Sequence, residues 1–125
     1  NMCDRHNKNY YEKYKKWCDE YFYLPHRGEP RGIGGIFFDY KKENFEKDFK
    51  FIRDVGVTFQ LIFNKIIRKK IKKKWTIKDK EIQYIKRGRY AEFNLLYDRG
   101  TKFGLQTQGN IEGILMSLPP LAKWK

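Results

Sequence analysis

Cysteine and histidine are scarce in this sequence, which holds only Cys3, Cys18, His6 and His26. Two cysteines cannot build a disulfide framework and their spacing fits no zinc motif, so a reduced compartment is expected. The histidines lie far apart, with no acidic residue at a metal-site spacing from either; His26 taken alone reads as a surface or hydrogen-bonded histidine. No apolar run approaches the length of a membrane span, and Asn1 does not open a basic-then-apolar signal peptide. Phosphate loop, nucleophile elbow and internal repeat are all missing. Gly32-x-Gly34-Gly35 looks like part of a dinucleotide fingerprint but fails it. Phe37 takes the place of the last glycine, and the glycines precede an expected strand instead of following one. Acidic residues are also in short supply, 15 against 28 Lys and Arg, which leaves a formal net charge of +13.

Such an excess suggests nucleic acid, but its distribution weakens that reading. From Lys65 to Arg89, twelve Lys and Arg face only Asp79 and Glu81, a net of +10, while the remainder is near balance at +3. The charge is centred on Ile66-Ile67-Arg68-Lys69-Lys70-Ile71-Lys72-Lys73-Lys74-Trp75, a pattern more usual for a solvated helix end and loop. What is present in quantity is aromatic: 18% of residues, within a hydrophobic share of 40%. That supports a packed core despite a mean hydropathy of -0.85, and argues against a disordered tail. The length allows one modest domain. A chain opening on Asn1 and closing on Trp124-Lys125 is expected to be a piece of a longer protein.

Residues from about Asn9 to Tyr23 carry Tyr10, Tyr14, Trp17, Cys18, Tyr21 and Phe22 at three- and four-residue steps, which predicts a helix with one apolar stripe. Pro25 and the Gly28/Pro30/Gly32 cluster end it in a loop. Ile33 to Asp39 reads as a short β-prone run whose glycines suit a bulge or close approach. From an N-cap at Asn44, Phe45, Phe49, Ile52, Val55, Phe59, Ile62, Phe63 and Ile66 predict a long helix, acidic at its start and basic at its end. A short helix is predicted over Ile77 to Lys86. Arg89 to Tyr97 alternates, with Ala91, Phe93, Leu95 and Tyr97 on one face; this predicts a strand, a turn at Asp98-Arg99-Gly100-Thr101, and a returning strand over Lys102 to Thr107. Ile111 to Leu118 fits either a short helix or a strand. The class implied is α+β, an antiparallel sheet flanked by helices.

Three loops hold residues suited to chemistry: His26 to Gly32, Asp98 to Lys102, and Gln106 to Asn110. Arg31 precedes a glycine-rich strand start and Arg99 sits at the expected hairpin tip. Guanidinium forks bind carboxylates bidentately, and nearby glycines let a large ligand reach the backbone. The plainer alternative is that Arg31 and Arg99 pair with Glu29 and Asp98, since loop ion pairs are common and weak.

Longer stretches carry a resemblance. Lys16-Trp17-Cys18-Asp19-Glu20-Tyr21-Phe22 followed by His26-Arg27-Gly28-Glu29-Pro30-Arg31-Gly32-Ile33-Gly34-Gly35-Ile36-Phe37-Phe38-Asp39 resembles the oxygen-dependent coproporphyrinogen III oxidase family. So do Arg87-Gly88-Arg89-Tyr90 with Glu92 to Leu105, and the closing block Ile114 to Trp124. The likeness covers roughly residues 10 to 125, and a basic insert from about 65 to 85 is its least similar part. It implies that residues 1–125 are the C-terminal part of a single coproporphyrinogen oxidase domain, built on a flat antiparallel sheet flanked by helices. It further implies oxidative decarboxylation of two propionates of coproporphyrinogen III to vinyl groups, giving protoporphyrinogen IX in haem biosynthesis. Molecular oxygen is the implied oxidant and no further cofactor is required, with a divalent metal in some members.

By the same resemblance Arg31 and Arg99 are candidate propionate clamps, and Gln108, Gly109 and Asn110 form a loop that contacts substrate. The family usually shows Gly-Gly-Arg there, so this chain lacks one cation. His26 matches a histidine assigned to a metal and to dimer contacts in some members. A homodimer is implied, with contacts within Tyr90 to Trp124. Catalytic residues are expected in the family's N-terminal half, so these residues alone are expected to be inactive. A cytoplasmic location is implied, with the mitochondrial intermembrane space as the alternative. Two other readings stand beside this one: a basic nucleic-acid-binding module using Lys65 to Arg89 with Trp75 stacking, and a non-catalytic dimerising relative.

Overall fold

A computed structural model describes residues 1–124 and divides into two compact units. The first comprises Asn1–Glu20 and Gly35–Lys74. After a 3-10 turn at Cys3–Arg5 comes helix α1 (Tyr10–Tyr21), whose predicted stripe buries Tyr14 and Cys18. From Gly35 the chain runs extended without a strand partner, contrary to the β-prone reading of Ile33 to Asp39. Its backbone bonds go to α1 instead: Phe37 N donates to the Tyr14 carbonyl at 3.1 Å, and Gly35 N to the Cys18 Sγ at 3.3 Å. Helix α2 (Phe45–Lys70) starts where predicted, with the Asn44 side chain accepting from Lys47 N at 3.0 Å. Glu46 and Asp48 occupy its first turn and Arg68, Lys69 and Lys70 its last, as the helix dipole favours.

Phe51 packs with Tyr14 and Cys3 at the centre of this unit and is 1% exposed. Burying such a side chain stabilises by roughly 1.5–3 kcal/mol. Beside it the Lys41 ammonium lies 2.7 Å from Asp48 and donates to the Tyr10 hydroxyl at 2.9 Å. Burial opposes the charged form of Lys41, but the hydrogen bonds it donates to Asp48 and Tyr10 outweigh it and hold the group above the ordinary lysine value. From Phe59 to Lys70 every residue of α2 is exposed, including Phe59, Ile62, Phe63 and Ile66.

The second unit comprises Tyr21–Gly34 and the chain from Trp75 onward. The loop predicted after α1 contains a small hairpin, β1 (Tyr23–Leu24) and β2 (Glu29–Pro30), antiparallel with Tyr23 opposite Pro30. Gly28 turns it at a φ of 65°, a left-handed conformation that glycine adopts without strain. Helix α3 (Ile77–Leu96) starts at a capping box in which the Thr76 side chain accepts from Asp79 N and Asp79 accepts from Thr76 N. It runs ten residues beyond the short helix expected there, and replaces the predicted strand over Arg89 to Tyr97. The buried residues Gly88, Ala91 and Asn94 recur every three positions, a helical face that an apolar count overlooks because Gly and Asn are not apolar.

The returning strand is also absent: Lys102 to Thr107 falls largely in helix α4 (Arg99–Gln106). Asp98, read as a turn residue, caps α4 by accepting from Thr101 N at 2.7 Å. Helix α5 (Ile111–Leu115) resolves the open choice at Ile111 in favour of a helix, capped by Asn110. The α+β class holds, with helix dominant and the two-stranded antiparallel sheet at residues 23–30.

Candidate functional site

The short hairpin and α3 build a charged cluster within the second unit. Glu92, on α3, is the acceptor at its centre. Its Oε2 accepts from Arg27 Nε at 2.8 Å and is hydrogen-bonded to His26 Nε2 at 2.8 Å; its Oε1 accepts from Arg27 Nη2. The Arg27 fork, with help from His26, holds the Glu92 carboxyl down at about 2, against the opposing effect of burial. The other ring nitrogen of His26 bonds the Tyr97 hydroxyl at 2.8 Å. Glu29 is held by Arg89 and stands 3.7 Å from Lys86, so its carboxyl lies below the usual carboxylate range. Arg89 keeps its buried Nη1 without a hydrogen-bond partner, 3.8 Å from Glu92.

Arg31 leaves β2 beside a cavity of about 520 Å³, lined among others by Glu29, Ile33, Lys86, Arg87 and Tyr90. Its guanidinium carbon lies 3.9 Å from the Phe22 ring centroid, 4.8 Å from that of Phe93 and 5.0 Å from that of Tyr90. Aromatic faces orient a guanidinium. Three cations and one acid around an apolar floor suit a carboxylate carried on a flat, largely apolar body.

Arg99 sits at the first position of α4, not at a hairpin tip, and is exposed. It donates to the Tyr21 hydroxyl at 3.5 Å and its guanidinium carbon lies 5.3 Å from that ring centroid. The rings of Tyr21, Phe22 and Phe93 pack at 4.9–5.6 Å, so Arg31 and Arg99 touch one aromatic cluster. Arg99 does not line the Arg31 cavity, and neither do Gln108, Gly109 and Asn110. Those three form the exposed turn between α4 and α5. Gln108 there takes a φ of 57°, Gly109 N donates to the Gly104 carbonyl at 3.0 Å, and Asn110 caps α5.

His26, the metal candidate that the resemblance implies, is exposed. Both ring nitrogens are hydrogen-bonded to protein groups, and among the described residues no group of three His, Cys, Asp or Glu could hold an ion. Glu92, Arg27, Lys86 and Arg87 did not stand out in the sequence. Glu92 was placed on the polar face of a strand; the available signal was charge complementarity between Arg27 and an acid in the Arg89–Glu92 stretch.

The family model described as coproporphyrinogen III oxidase matches residues 1–125. The chain belongs to the coproporphyrinogen III oxidase family. It is 61% identical over 123 residues to the oxygen-dependent coproporphyrinogen-III oxidase of Rickettsia bellii (strain OSU 85-389), covering 98% of this chain and 44% of that relative. The proteins of the same description from Rickettsia rickettsii (strain Sheila Smith) and Rickettsia akari (strain Hartford) are each 60% identical, with the same coverage. The chain therefore spans less than half the length of these coproporphyrinogen oxidase relatives. No helix among the described residues is long and apolar enough to cross a membrane.

Proposed function

We propose that this chain is the C-terminal part of a single-domain oxygen-dependent coproporphyrinogen III oxidase, with a basic insert at about 65–85. The observation that carries the reading is the 61% identity, over nearly the whole chain, to proteins of that description. Each turnover decarboxylates a propionate arm. The carboxylate leaves as carbon dioxide, a hydrogen leaves the carbon next to the ring, and a vinyl group remains. The two electrons, with two protons, pass to dioxygen and give hydrogen peroxide; the second propionate repeats the step. An electron-rich pyrrole can meet dioxygen directly, so the protein's tasks are positioning and charge stabilisation, with no cofactor beyond oxygen.

In this reading Arg31 and Arg99 grip propionates, with Gln108, Gly109 and Asn110 adding backbone or side-chain contacts. Arg31 on the cavity wall supports its part. His26 orients the Glu92 cluster and stays the candidate for the divalent metal of some family members. We place catalytic residues in the part of the relatives that this chain does not span, and expect the 125 residues alone to turn over no substrate. Homodimer contacts within Tyr90 to Trp124 and a cytoplasmic location belong to the same proposal. The test is Arg99→Ala in the complete enzyme. The KM for coproporphyrinogen III should rise at least tenfold while the dimer, followed by sedimentation, stays intact. An unchanged KM would remove Arg99 from the site.

A further inference from the structure

Arg87, on the wall of the Arg31 cavity, differs from Arg27, Lys86 and Arg89 in what its side chain lacks. Arg27 is held by Glu92, Arg89 by Glu29, and Lys86 lies 3.7 Å from Glu29. The Arg87 side chain makes no hydrogen bond or ion pair among the described residues, although it lines the cavity. Its own helix supplies no acid either. The positions three and four residues away are Tyr84, Gln83, Tyr90 and Ala91, so no carboxylate lies within reach along α3. Arg31 is fixed by stacking on Phe22, and Tyr90 and Ile33 give the same cavity an aromatic and an aliphatic wall.

We infer that Arg87 is a further substrate-binding residue, which takes a carboxylate of a flat, multiply acidic ligand whose ring lies against Tyr90 and Ile33. The inference rests on reading this cavity as a propionate site. It assigns to Arg87 a fork on the same cavity that Arg31 lines. A planar guanidinium binds a carboxylate through two parallel N–H···O bonds, which a lysine cannot reproduce. An anion entering the cavity also meets a wall already short of negative charge, because Glu29 is engaged by Arg89.

The experiment is steady-state kinetics of the complete enzyme with coproporphyrinogen III, comparing Arg87→Gln and Arg87→Lys with Arg31→Gln and Arg99→Ala. Arg87→Gln should raise KM about tenfold, equivalent to about 1.4 kcal/mol, with kcat within twofold and thermal stability unchanged. Arg87→Lys keeps the charge, loses the fork, and should fall between the two. If KM stays at the wild-type value in Arg87→Gln while Arg31→Gln and Arg99→Ala raise it, Arg87 is not a substrate contact and the reading of the cavity survives. If none of the arginine variants alters KM, the propionate reading of the cavity fails as well. A lowered melting temperature with KM unchanged identifies Arg87 as a structural partner of another segment and overturns the inference. Should Arg87→Gln not fold, a wild-type KM in Arg87→Lys overturns it equally.

Discussion

Glu92 shows how one side chain can tie a loop to a helix by charge. It accepts from Arg27 twice and from His26 once, and its carboxyl is held at about 2 against an ordinary 4.5. A carboxyl depressed in the folded state contributes stability that is complete above its unfolded value and is lost as pH falls through the folded one. The contribution should therefore fade between about pH 4.5 and pH 2. Replacing Glu92 with Gln keeps the shape, removes the charge, and leaves Arg27 and Arg89 facing a neutral amide. In the complete protein we expect Glu92→Gln to cost about 2 kcal/mol at pH 7, the range for hydrogen bonds to charged groups. Denaturant unfolding at pH 7 and at pH 3 checks it: the gap between variant and wild type should narrow at the lower pH. A gap equal at both values would mean that the cluster is not charge-driven.

At the scale of elements, glycine tells the helices apart. Gly88 lies on α3 where the closing segment crosses it, Lys123 N donating to the Tyr84 carbonyl at 3.1 Å. A Cβ at position 88 would collide with the Lys123 carbonyl, and that backbone has little room to move. Gly56, in mid α2, has nothing within 4 Å of where a Cβ would stand. Alanine in an exposed helix is favoured over glycine by about 0.8–1 kcal/mol. Gly56→Ala should thus raise the melting temperature of the complete protein, while Gly88→Val should lower it and expose the region around Lys123 to limited proteolysis. Equal effects at the two sites would refute the packing at Gly88. The same contrast explains what was legible in the sequence. α1 and α2 follow from apolar residues at helical steps and from the Asn44 cap, all visible as residue types. The length of α3 was hidden because three of its four buried residues are Gly88, Ala91 and Asn94, while the fourth, Phe93, happens to alternate with Leu95 and Tyr97. α4 was hidden because Asp98 and Gly100 suit a turn as well as a helix start, and only the bond to Thr101 N separates them. Arg31 was legible as a cavity residue from its glycine-rich setting, whereas the partners of His26 come from 66 and 71 residues away and leave no local mark.

For the molecule as a whole the open question is where a net charge of +13 acts. Two placements compete, the Arg31 cavity and the lysine run that begins at the end of α2. Lys69, Lys70, Lys72, Lys73, Lys74 and Lys78 are all exposed, and none of their side chains has a hydrogen-bond or ion-pair partner among the described residues. Lysines at a helix C-terminus are favoured there by the dipole and by solvation, without any ligand. A nucleic-acid site would instead use that run with Trp75, which is 70% exposed, as a stacking face. The two placements separate when all six lysines are changed to Gln in the complete protein. If the cavity carries the function, KM for coproporphyrinogen III should stay within about twofold, because none of the six lines the cavity and exposed charges are weakened by solvent and salt. A nucleic-acid module would bind single-stranded DNA or RNA with an affinity that falls steeply as salt is added, and would lose it in the six-lysine variant. We expect no such salt-dependent binding by the wild type at physiological ionic strength. Tight, salt-sensitive binding that the variant loses would move the charge's role from the cavity to the end of α2.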